Sequence, residues 1–188
     1  VNDSIASIQI YPMNSMFDTL ILKQRTSVHM VYRNMKHLFE VSYDTKLFKC
    51  YPHCEALRVD SHTSLLHFSL PLHTIAFWVT KDSALLTIYS LELDPSTVIH
   101  TLDDLKMHFK VADNKQISSK VVKIATSSGY TEGLELMQQG TKVLGIWIFA
   151  HPSLKNRAYA VQAWECGSTI KQQSLLTDFM ASFKFIRK

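Results

Sequence analysis

Four strand-like stretches crowd into the last seventy residues, and their spacing leaves the chain little choice of how to pair them. Residues 121–126, 130–139, 142–150 and 157–166 are strand candidates, and only Gly140-Thr141 and residues 152–156 separate the last three. A parallel crossover needs about a dozen residues or more, so connections this short demand consecutive antiparallel hairpins. Residues 143–149 are almost continuously apolar, the pattern of a strand covered on both faces at the centre of a sheet. Gly167-Ser168 then opens a final helix, whose Leu175, Leu176, Phe179, Met180 and Phe183 form the face that docks on the sheet.

Upstream, the same reasoning gives strands at 65–70, 74–80 and 84–93, with Lys81-Asp82-Ser83 as a turn. Asp94-Pro95 reads as a helix start, because Asp caps well and Pro at the first helical position gives up no hydrogen bond. Val98, Leu102, Leu105 and Phe109 make one apolar stripe, so this helix should end near Lys110, with the polar residues 113–119 as a loop. Earlier residues are ambiguous. We read 26–38 as a helix with Val28, Val31, Met35 and Leu38 on one side, while Val28, Met30 and Tyr32 would alternate in a strand. Residues 38–43 read as a strand leading into a loop at 50–54. The expected class is α+β, built on an antiparallel sheet.

Composition agrees with one folded domain: 46% of the 188 residues are hydrophobic and 19% charged, and five Gly and five Pro leave little room for linkers. The net charge of +4 is spread along the chain, and Arg25, Arg33, Lys36, Lys46, Lys49 and Arg58 form no run that could track phosphates. A nucleic-acid partner is therefore not expected. No stretch approaches the ~20 apolar residues that span a bilayer. The sequence starts at Val1 rather than Met, and we read an upstream signal or lipid anchor as preceding it.

Few residues suggest chemistry. Cys50, His53 and Cys54 lie within five residues, and thiolate plus imidazole suits zinc or copper. A structural zinc site takes four ligands, however, and no second Cys/His pair at ligand spacing occurs, so a local Cys50–Cys54 disulfide or a solvated loop is the expectation. Cys166 reads as a small buried hydrophobe at the end of a strand. His62, His67 and His73 are close in sequence but fall at turns or between apolar neighbours. His100 and His108 flank Asp104 at helical spacing, a pattern of surface pairing. The adjacent carboxylates Asp103 and Asp104 point ~100° apart on a helix and cannot share a substrate. Nucleophile candidates are Cys166-Gly167 and Ser127-Ser128-Gly129, without the Gly-x-Ser-x-Gly motif or a phosphate loop around them. Trp78, Trp147 and Trp164 all fall in strands, where core packing is expected and exposure would mark a binding anchor. No catalytic residue, metal or cofactor is expected from this inventory.

The order of elements resembles the PsbP-like family, shared by photosystem oxygen-evolving subunits, the Ran-binding protein Mog and bacterial envelope lipoproteins. The resemblance spans residues 38–186 and is carried by 133–138 as an outgoing strand, Tyr159-Ala-Val-Gln as the returning one, and the closing Ala181-Ser182-Phe183. Tyr51-Pro52 stands where the family has a Tyr-Pro-Trp-like patch, here without the Trp. The resemblance implies an αβα sandwich in which helices flank a central antiparallel sheet of about six strands. It makes 1–188 a single PsbP-like domain, with 1–37 as an N-terminal extension. It also implies a non-enzymatic binding or assembly module with a protein partner, placed in the cell envelope, outer membrane or periplasm, and tethered through an N-terminal lipid. A cytoplasmic module with a small GTPase partner, and a hydrolase using Cys166 or a turn serine, are the alternatives.

Overall fold

A computed structural model describes residues 18–21, 29–52, 72–93, 96–107, 117–138, 142–164 and 166–187. In chain order the elements are β1 (Asp18–Ile21), β2 (His29–Asn34), β3 (Phe39–Asp44), β4 (Phe48–Pro52), β5 (Leu72–Thr80), β6 (Leu85–Glu92), α1 (Leu102–Met107), β7 (Ile117–Thr126), β8 (Gly129–Gln138), β9 (Lys142–His151), β10 (Leu154–Trp164), α2 (Thr169–Ser182) and β11 (Phe183–Phe185). They form two sheets, one of four strands in the order β1-β2-β3-β11 and one of seven in the order β4-β5-β6-β10-β9-β8-β7. Every pairing is antiparallel. After the β4-β5-β6 meander, the connection through α1 carries the chain to the far edge. Strands β7 to β10 then return as hairpins until β10 closes against β6.

The αβα sandwich with about six strands is overturned. Among the described residues the molecule is mostly strand, with two helices, and a second sheet covers much of the surface expected for a helix. Three local causes account for this. Residues 29–34 form β2, because alternation puts Tyr32 and Asn34 into the interior, whereas the helical stripe would include Met35, which is exposed. Leu38 adopts a left-handed φ of 59° in the β2–β3 turn, which ends any helix there. At the other terminus Phe183-Lys184-Phe185 alternates apolar, polar, apolar and leaves α2 to pair with β3.

Other boundaries also move. Cys50 lies on β4 rather than in a loop. The first helix begins at Leu102, well after the expected start at Asp94-Pro95, which lie outside the described residues together with Phe109. Val98, expected on its apolar stripe, is exposed ahead of it. Thr101 and Asp104 cap this helix reciprocally: the Asp104 amide donates to Thr101 Oγ1 at 3.1 Å, and Asp104 Oδ2 accepts from the Thr101 and His100 amides at 2.8 Å each. His100 therefore precedes the helix instead of pairing along it. Strand β7 starts at Ile117, inside the expected loop, and the strand expected at 65–70 lies outside the described residues.

Alternation along the central strands divides the interior into two layers. Trp147, Phe149, Tyr159, Val161 and Ala163 point to one face of the seven-stranded sheet, where α2 and the smaller sheet cover them. Ile146, Ile148, Ala158 and Ala160 point to the other, under α1. Gly167 turns the chain from β10 into α2 with a φ of 74°, and Ser168 Oγ caps the helix by accepting from the Lys171 amide at 3.2 Å.

Candidate ligand-binding groove

Where the small sheet meets the turns of the large one, the surface folds into a groove of about 610 Å³. Its floor follows from strand register. Glu40 on β3 is the cross-strand partner of Arg33 on β2 and of Lys184 on β11, so three charged side chains make a ladder on the outer face of the small sheet. Their neighbours Tyr32, Phe39, Val41, Phe183 and Phe185 point inward and are buried. Arg33 holds Glu40 Oε2 through Nη2 at 2.6 Å and Nε at 2.7 Å, and Lys184 Nζ lies 3.2 Å from Oε1. Burial alone would raise the Glu40 pKa, but the bonds and charges of Arg33 and Lys184 more than offset it and hold the carboxyl below its ordinary value.

The walls come from two hairpin turns. Thr126, Ser127 and Ser128 line one side with Tyr130 and Thr131, and Pro152 and Ser153 line another; Met35, Ile186 and Arg187 complete the rim. Tyr130 is 71% exposed and Met35 42%, so the groove presents apolar surface beside its cations.

The turn serines, read from sequence as candidate nucleophiles, are bound into the fold. Ser127 donates from its amide to Phe183 O at 2.9 Å and from Oγ to the same carbonyl at 3.0 Å. Ser128 Oγ accepts from the Phe185 amide at 3.2 Å. Together they close the outer edge of β11, whose backbone groups would otherwise lack strand partners. His151 performs a similar task from β9: its Nδ1 accepts from the Ser153 and Leu154 amides at 3.1 and 3.2 Å, and its Nε2 lies 3.3 Å from Ile186 O. With Nδ1 accepting twice, the proton sits on Nε2 and the ring is neutral.

The other sequence candidates that the structure describes lie apart from the groove. Cys50 on β4 is half-buried against the aromatic core and within hydrogen-bonding reach of Tyr43, while His53 and Cys54 lie outside the described residues, so the metal and disulfide readings of Cys50, His53 and Cys54 fall outside them too. His62, His67 and His108 also lie outside them, and His73 falls on β5. Cys166 is buried, its thiol donating to Trp164 O at 3.1 Å, and burial pushes its pKa up, away from the reactive thiolate. Asp103 pairs with Lys106 on the surface of α1 at 2.8 Å. Trp78 and Trp147 are buried and Trp164 is half-buried; the Trp147 indole donates to the buried Glu135 at 3.0 Å.

Sequence reasoning missed the groove. Only Arg33 had been singled out among its charged residues, and only as one scattered cation. The available signal was the alternation in Phe183-Lys184-Phe185, which marks a strand with one polar, outward side chain.

Fold and site together define a two-sheet, mostly β protein with a basic, open groove at the junction of its sheets. No family model, curated protein or solved structure matches the chain.

Proposed function

We propose that this chain is a non-enzymatic protein-binding module and that the groove is its contact surface. The observation that carries the reading is the composition of the groove: Arg33, Arg187, Tyr130 and Met35 stand together on an accessible concave surface. Arg, Tyr and Met are the residue types enriched where proteins bind one another, because they offer large contact area with few strongly hydrated groups. The hydroxyls best placed to attack a ligand in the groove, those of Ser127 and Ser128, are engaged with the β11 backbone. The order of the C-terminal strands and helix, on which the PsbP-like resemblance was drawn, supports an assembly role over catalysis. It also supports an envelope setting with an N-terminal lipid, which palmitate labelling and fractionation of the full-length protein would test.

Photo-crosslinking in native cells tests the contact surface. A photoreactive residue at position 130 or 35 should give discrete protein adducts. The same probe at the exposed positions Val98 and Ile170, which do not line the groove, should not. Equal labelling at all four positions, or none at the groove, would overturn the reading.

A further inference from the structure

We infer that the groove receives an extended, acidic segment of a protein partner, with Arg187, Arg33 and Lys184 as its carboxylate receptors. This rests on the binding reading above and adds the chemical class of ligand. The groove lining holds three cations against one carboxylate, Glu40. The cations are only partly used by it. Arg33 commits Nε and Nη2 to a single carboxylate oxygen, which leaves the Nη1 end of its planar fork for a second acceptor, and Lys184 has three ammonium protons for one contact. Both side chains reach solvent, at 38% and 54% exposure, and Arg187 is exposed at the rim.

Glu40 shows what the site recognises, since it is a carboxylate seated between a guanidinium and an ammonium. A ligand carboxylate beside it would meet the remaining donors, and Tyr130 and Met35 would take the apolar side chains between acidic positions. A bilayer with anionic headgroups is the other surface such cations could meet, and the test separates the two.

Selection from a displayed library of random dodecapeptides against the intact chain provides the test. The expected result is enrichment of net-acidic peptides whose binding falls about ten-fold in Arg187→Glu and weakens steeply with salt. Lys184→Gln should weaken it by a smaller factor, with circular dichroism confirming the fold of each variant. Groove-dependent peptides without net negative charge would overturn the ligand class and leave the binding reading standing. Peptides indifferent to both substitutions, or none at all, would overturn both. Phosphatidylserine vesicles bound through Arg187 in the absence of any acidic peptide would assign the cations to a membrane and overturn the inference.

Discussion

The two faces of the seven-stranded sheet are built from different materials. One carries Tyr32, Phe39, Tyr43, Trp78, Phe149, Tyr159, Phe179, Phe183 and Phe185; the cluster on the other is Leu, Ile and Ala with Tyr89, and Phe77 lies buried on that side of β5. The contrast follows from what each face must join. On the first, a second sheet and α2 must be locked to the first sheet across a layer ~10 Å thick, and long rings reach across it. Trp78 lies 5.6 Å from Tyr32 and 4.8 Å from Phe179, ring centre to ring centre, touching both covering elements. Phe183 stacks on Phe39 at 5.2 Å and meets Phe149 edge-on at 5.5 Å. On the second face, Ala158 and Ala160 keep the surface low, and a helix of six residues covers it with Leu102 and Leu105. A face that holds two sheets together should therefore be far more sensitive to truncation than one that holds a short helix.

Trp78→Ala should give the largest loss. Truncation removes ring contacts to both covering layers in a site too crowded to collapse, and we expect a cost of ~4 kcal/mol by urea unfolding, near the middle of the range for large aromatic deletions. Leu105→Ala is as deeply buried but sits on a short helix that can settle toward the sheet, so about 2 kcal/mol is expected. Equal losses would break the comparison. Gly133→Ala sharpens it without removing anything. An added Cβ on β8 would lie 2.7 Å from both Ile124 Cδ1 and Ile148 O and 3.3 Å from Phe149 Cβ, so the aromatic side would be overfilled. Backbone cannot give as a side chain can, and a loss of ~2 kcal/mol should follow. Next comes Ser127→Ala, which removes one of two donors to Phe183 O and should cost about 1 kcal/mol, with faster amide exchange confined to β11 and its turn.

The two sheets also divide what was legible in the sequence. Strands β8, β9 and β10 could be read to within a few residues because their signals are local: alternating or continuous apolar residues, with Gly140 or Pro152 between them. Strands β2 and β11 were not, since Val28 and Phe183 are apolar at positions that satisfy helix and strand periods alike. Phe183 even continues the α2 stripe from Phe179, and only its pairing with Val41, far away in sequence, decides the matter. The groove inherits that difficulty. Arg33, Glu40 and Lys184 form a ladder only once β3 lies between β2 and β11 in the observed register, and a slip of one residue would send each to the opposite face.

The smallest expected effect concerns the proton on His151, which sits on the aromatic face beside Phe185 and ties the β9–β10 turn to Ile186. Burial lowers its pKa from the ordinary value, and the nearby Arg157 pushes the same way, against the contact with Ile186 O. A depressed folded pKa means that below about pH 6.5 the unfolded chain binds a proton that the folded chain refuses. The stability contributed by neutral His151 is thus complete above that value and is lost as the pH falls through the folded pKa. Acid also converts Nδ1 from acceptor to donor, so the Ser153 and Leu154 amides lose their partner and the groove wall they form should loosen first. Urea midpoints from pH 7.5 down to 5 should fall less steeply in His151→Gln than in the parent chain, and amide exchange at 153 and 154 should rise in the parent before it rises in the β9 and β10 interior. Parallel pH profiles for the two proteins would show that this histidine titrates alike in the folded and unfolded states.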